Sequence, residues 1–270
     1  MRQEEGEKAV SGGTGLSARL DLPSGLPTKT LDFEWNGMGF HLAPDGATPL
    51  SRALMKKTNS ALCTLGAGCL LWSAKRLEFI ADVQPLLSIA EVLLLWEDDP
   101  RYYHHPGELP DPDPAPVTYD VVNALFYQTS KIMEEFPNDH ISDPPVQTVE
   151  NLFALTRHIL GEEWTPSFRS WTKRALATME RLAQNPHQDF RDRFDFESDA
   201  EFAAYTALNM GRPIAIEVCN QGLEFSVEMS DAAYLDFMMS VKREENCYLA
   251  TPEMMRVAGF VGEPFVPRLR

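Results

Sequence analysis

The sequence predicts a mainly α fold, an antiparallel helical bundle or array with one or two small β-hairpins. Three observations carry this expectation. Apolar residues recur at three- and four-residue steps over most of the chain, cap-plus-proline or capping-box starts alternate with glycine stops, and the links between periodic segments are short.

Residues 1 to about 28 mix Glu, Lys, Gly, Ser and Pro with few apolar anchors and read as a disordered tail, which leaves 29–270 as a single helical domain. Leu31, Phe33 and Trp35 alternate with polar residues up to Asn36-Gly37, and Met38, Phe40 and Leu42 alternate after it. That is a hairpin signature, because a tight type I′ turn needs positive φ at both central residues. Thr48-Pro49 then supplies an N-cap and a first helical residue for one long helix, with Leu50, Leu54, Leu62, Leu65, Cys69, Trp72 and Ile80 on its buried face. Gln84-Pro85 restarts a helix that is apolar nearly all round from Leu86 to Trp96, so it is expected at the centre of the domain. Asp98-Asp99-Pro100 stops it, and Pro106, Pro110, Pro112, Pro114 and Pro116 preclude regular structure in the acidic loop that follows.

The periodicity resumes over Thr118–Glu135. Asp143-Pro144 starts a helix ended by Gly161, and Thr165-Pro166 starts another. Ser198 with Glu201 forms a capping box for a helix closed by Gly211. Ile214, Ile216 and Val218 alternate before Asn220-Gln221-Gly222, which favours a second hairpin over a short helix. Ser230 is expected to cap the next helix, and Thr251-Pro252 starts a short last one ending at Gly259.

Twenty-four basic against 40 acidic residues give a net charge of −16, a field that repels nucleic-acid phosphates and anionic lipid and attracts basic partners. Cys63, Cys69, Cys219 and Cys247 form no CxxC pair and read as buried thiols of a cytoplasmic protein. The longest apolar runs, Ala61–Trp72 and Leu86–Trp96, are shorter than the roughly 20 residues that span a bilayer. The acidic start at Met1 carries no secretory signal pattern.

No HExxH, DxDxDG or Gly-x-Ser-x-Gly pattern occurs, and no Lys-Ser or Lys-Thr follows Gly66-Ala67-Gly68, whose small residues suit close helix approach. No cofactor and no bound metal is therefore expected. Carboxylates and aromatic residues instead gather in two segments. The first holds Glu97, Asp98, Asp99, Tyr102, Tyr103, Asp111 and Asp113; the second holds Asp192, Asp195 and Phe196. Accessible tyrosines among carboxylates suit anchoring to a basic protein. The function expected is a non-enzymatic binding protein that neutralises a basic partner, such as an immunity or antitoxin-type inhibitor of a toxin enzyme. The alternatives are a metal-dependent enzyme on a helical scaffold, with Glu97, Asp98, Asp99, His104 and His105 as ligands or acid/base groups, and an oligomeric adaptor.

Overall fold

A computed structural model describes residues 15–30, 48–104, 117–135, 145–185, 191, 193–220 and 224–266. Among them eight α-helices pack as an array: α1 (Pro49–Leu54), α2 (Asn59–Leu77), α3 (Gln84–Trp96), α4 (Val117–Glu135), α5 (Val146–Leu182), α6 (Asp199–Met210), α7 (Val227–Ser240) and α8 (Pro252–Val257). No β-strand forms among the described residues, and two isolated antiparallel bridges join Lys57 to Gln184 and Tyr103 to Leu249. The hairpin expected around Asn36-Gly37 and the start at Asp143-Pro144 lie outside the described residues.

The long helix expected from Thr48 is two helices. Thr48 caps α1 as expected, its hydroxyl accepting from Ser51 N–H at 3.0 Å. Thr58 then caps α2, while its own N–H donates to Ala183 C=O at 3.0 Å and Lys56 C=O accepts from Asn185 N–H at 2.8 Å. These exchanges with the end of α5 hold Lys57 in a bridge and Thr58 extended after a turn at Met55-Lys56, and a helix cannot run through them.

α2, not α3, occupies the centre: every residue from Asn59 to Leu77 except Lys75 is buried. It packs chiefly on α3 and α5. A Cβ on Gly68 would lie 2.5 Å from Trp171 Cζ2, and one on Gly66 would lie 3.3 Å from Leu152 Cδ1 and Leu93 Cδ2. The small residues thus set helix approach. Two of its polar groups bond across to α5: Ser73 donates to Thr156 Oγ1 at 3.1 Å, and Thr156 donates to Cys69 C=O at 3.2 Å.

Residues 15–28, expected in the tail, are packed: Leu16, Leu20 and Leu26 are buried, and Arg76 donates to Leu26 C=O at 3.0 Å. Arg19 pairs with Glu217 at 2.8 Å and Asp236 at 2.7 Å. Three leucines spaced through a polar stretch suffice to seat it, because each brings burial that the composition as a whole conceals. Residues 1–14 lie outside the described set.

α5 bends at Gly161, whose φ of 67° and ψ of −171° belong to a region that only glycine occupies freely. The second half starts directly at the bend, four residues before the expected Thr165-Pro166. Thr165 Oγ1 donates back to Gly161 C=O at 2.6 Å, and Pro166 sits near the new N-terminus, where few helical bonds are lost. Gly161→Ala forces a side chain into this conformation and is expected to cost roughly 1–3 kcal/mol in urea unfolding. An unchanged midpoint would mean that the halves can join at another angle.

The second hairpin is absent. Ile216–Cys219 is a 3-10 turn, and Ile214, Ala215, Ile216, Val218 and Cys219 are all buried. Ile214 N–H donates to Glu97 at 2.8 Å and Ala215 N–H to the Ser230 hydroxyl at 3.2 Å, so side chains take the bonds a partner strand would have made. Ser230 is thereby occupied, and Ser226 caps α7 instead, accepting from Met229 N–H at 3.2 Å. Ser198 caps α6 as expected, accepting from Glu201 N–H at 3.2 Å, while the Glu201 carboxylate accepts from Glu197 N–H at 3.1 Å and not from Ser198; the caps at Thr251 and Gly211 form as expected. No helix among the described residues is long and apolar enough to cross a membrane.

Candidate functional sites

The first acidic segment, expected to be accessible, is largely interior. Glu97, Asp98, Asp99 and Tyr102 are buried, with Glu97 only 1% exposed, and Tyr103 is half-buried. Glu97, Asp99 and Tyr102 have internal partners. Glu97 Oε1 accepts from the Thr64 hydroxyl at 2.9 Å and Oε2 from Ile214 N–H, stapling α2 and the 214–219 segment to the end of α3. Burial pushes its carboxyl well above the usual range, overriding the lowering effect of the Ile214 and Thr64 bonds. Asp99 accepts from Arg101 N–H at 3.0 Å and holds the Arg101 guanidinium at 2.8 and 2.6 Å; that group also donates to Gly259 C=O at 2.8 Å. Tyr102 lies with its ring 4.6 Å from that of Phe265, and its hydroxyl accepts from Phe265 N–H at 2.9 Å. Residues 97–104 therefore tie α3 to the C-terminal part of the chain.

Asp111, Asp113 and His105 lie outside the described residues, and His104 is partly exposed. Among the described residues no three His, Cys, Asp or Glu side chains gather in a way that could hold a metal ion. Cys63, Cys69 and Cys219 are buried as expected, with burial raising all three thiols, whereas Cys247 is exposed.

The second segment divides differently. Asp192 lies outside the described residues, Phe196 is buried, and Asp195, Glu197, Asp199 and Glu201 are exposed. Phe196 packs on Phe202 and Tyr205 at centroid distances of 5.4 and 5.0 Å, with the Arg191 guanidinium 4.1 Å from the Phe196 ring. Arg193 pairs with Asp199, and Arg191 N–H donates to Tyr205 Oη at 3.1 Å. The phenylalanine staples the lead-in while the carboxylates stay outside. α6 then turns Tyr205, Asn209 and Met210 inward, and leaves Ala200, Ala203, Ala204, Ala207 and Leu208 on its solvent side. Leu208 is 55% exposed and Phe194 84% exposed. The alanine spacing was readable from the sequence, but only the inward Tyr205 face shows which side is outside.

A site with no sequence signal lies between α1 and α5. Glu150, Phe153, Ala154 and Arg157 from the first half of α5 face Phe168, Arg169, Thr172, Lys173 and Leu176 from the second, and Thr48, Pro49, Leu50 and Ala53 close the third side. Both α5 sets recur at helical spacing, and the Gly161 bend turns them toward one groove of about 650 Å³. Its floor is apolar, and Arg157, Arg169 and Lys173 stand exposed at its edge. Glu150 is 5% exposed; its Oε1 accepts from the Thr48 hydroxyl, and its Oε2 has no hydrogen-bond partner among the described residues. No protein family, curated protein or solved structure matches the chain.

Proposed function

We propose that the chain is a non-enzymatic binding protein that docks a basic protein through α6 and its acidic lead-in, in the manner of an immunity or antitoxin-type inhibitor. The observation that carries this reading is the outward side of α6. Four alanines and Leu208 are left to solvent beside Phe194 and the carboxylates of Asp195, Glu197, Asp199 and Glu201. A flat small-residue face lets a partner approach closely, exposed leucine and phenylalanine supply area to bury, and the carboxylates speed encounter with a cationic surface. The net charge of −16 favours the same partner class.

The test is a pull-down with the intact chain at low and high salt, followed by binding kinetics on the captured protein. A basic partner is expected whose association slows with salt and with Asp195→Lys/Glu197→Lys, and whose affinity falls by about 2–4 kcal/mol for Ala204→Asp or Leu208→Asp. Retention of full affinity by both α6 variants would remove α6 from the interface. Self-association by light scattering, abolished by Leu208→Asp, would replace the inhibitor reading with the oligomeric adaptor.

A further inference from the structure

We propose that the groove between α1 and the two halves of α5 binds a small amphipathic organic anion. The ligand would carry an aromatic or branched apolar body, an N–H or O–H donor, and a carboxylate, sulfonate or phosphate. Nothing in this inference depends on the α6 surface.

Charge is the first argument. The chain is strongly acidic, yet the described residues that line this groove include Arg157, Arg169 and Lys173 and one carboxylate, the buried Glu150. None of the three cations is paired within 4.0 Å of a carboxylate among the described residues. Arg169 and Lys173 stand one helical turn apart, where like charges repel unless an anion lies between them. A small anion that meets all three is held by charge-assisted hydrogen bonds that a surface lysine alone would not give.

The interior supplies the second argument. Phe153 and Phe168 form a continuous aromatic floor, with ring centroids 5.7 Å apart, and Leu50 and Leu176 pack beside the core as partly buried walls. A volume of about 650 Å³ suits a small organic molecule and exceeds what an inorganic ion fills. Glu150 supplies the third. Its Oε1 is engaged by Thr48 at the cap of α1, and its buried Oε2 meets no donor among the described residues. An anion without a donor would leave that oxygen unmet, and a neutral apolar molecule would leave the cations unused.

The probe is 1-anilinonaphthalene-8-sulfonate, which carries an aromatic body, an N–H and a sulfonate, titrated into the intact chain by calorimetry and fluorescence. Its partner probe is N-phenyl-1-naphthylamine, which has the same body and N–H without the charge. A single saturable site is expected for the sulfonate. The variant Arg157→Gln/Arg169→Gln/Lys173→Gln should weaken it about tenfold or more while leaving the neutral probe within about twofold. The three substituted side chains are exposed and make no ion pair among the described residues, so folding is preserved. Ala53→Phe, which fills the groove, should lose both probes, and Glu150→Gln, which keeps the Thr48 contact, should weaken both. Leu208→Asp should change neither. Unaltered sulfonate binding in the triple glutamine variant, loss of binding in Leu208→Asp, or absence of saturable binding would each overturn the proposal.

Discussion

Replacing Glu97 with glutamine raises stability above mildly acidic pH and removes part of its fall with pH. Glu97 is buried among α2, α3 and the 214–219 segment, and no cation pairs with it among the described residues. Burial holds its carboxyl well above the ordinary value of 4.5 in the folded chain. Below that value both states are protonated, and the contribution to stability is fully present. As pH rises, the unfolded carboxyl ionises first, and stability declines by about 1.4 kcal/mol per pH unit until the folded group titrates. Glutamine cannot ionise, yet it reproduces the contacts. Its carbonyl accepts Ile214 N–H, and its amide donates to Thr64 Oγ1, which passes its own proton to Ser60 C=O at 3.0 Å or Ile214 C=O at 3.1 Å. Chemical unfolding of both proteins from about pH 5 to about pH 8 should give curves that diverge with pH. That window stays below the ordinary thiol value of 9.0, so Cys63 and Cys219 stay silent. Glu91 is also raised by burial, against its bond from Asn246, and leaves a residual slope of the same sign in the variant. Parallel curves would mean that Glu97 is ionised in the fold.

Local chemistry was legible in the sequence. Thr48-Pro49, Gln84-Pro85, Ser198 with Glu201, Gly211 and Thr251-Pro252 open or close helices where they were expected, because a cap acts within one turn of its own residue. What failed to show depends on distant partners. The break before Thr58 is fixed by Ala183 and Asn185, more than 120 positions away in sequence. Glu97, Asp98 and Asp99 look like a solvated helix end because three carboxylates in a row usually are one. Glu97 and Asp99 are held inside by Thr64, Ile214 and Arg101, and only the last is a neighbour. The 214–219 alternation signalled a strand, but side-chain acceptors at Glu97 and Ser230 claimed its amides. The groove was invisible for the same reason. Its two stripes on α5 were each readable as helical faces, while their meeting depends on the angle at Gly161.

Gly68→Ala should destabilise the protein by roughly 1–3 kcal/mol, and Trp171→Phe should recover about 1 kcal/mol of that in the double variant. The new Cβ would lie 2.5 Å from Trp171 Cζ2 and 2.7 Å from Cη2, distances that no contact tolerates. The indole has little room to retreat. It is 1% exposed, stacks on Phe168 at 5.4 Å with planes 15° apart, and lies 6.1 Å from Trp72 and 6.2 Å from Phe153. The colliding atoms form the outer edge of the six-membered ring, which phenylalanine does not reach. Trp171→Phe alone leaves a void and costs less than the roughly 3–5 kcal/mol of a full truncation to alanine. Strict additivity of the two substitutions in urea unfolding would show that α2 and α5 can separate to admit the methyl group. Coupling has a further consequence, because Phe168 is both the stacking partner of Trp171 and the floor of the α1–α5 groove. A side chain at position 68 that displaces the indole must shift Phe168, so Gly68→Ala alone should weaken the sulfonate probe and the double variant should restore it. The glycine at the centre of α2 thereby sets the depth of a site to which it contributes no atom.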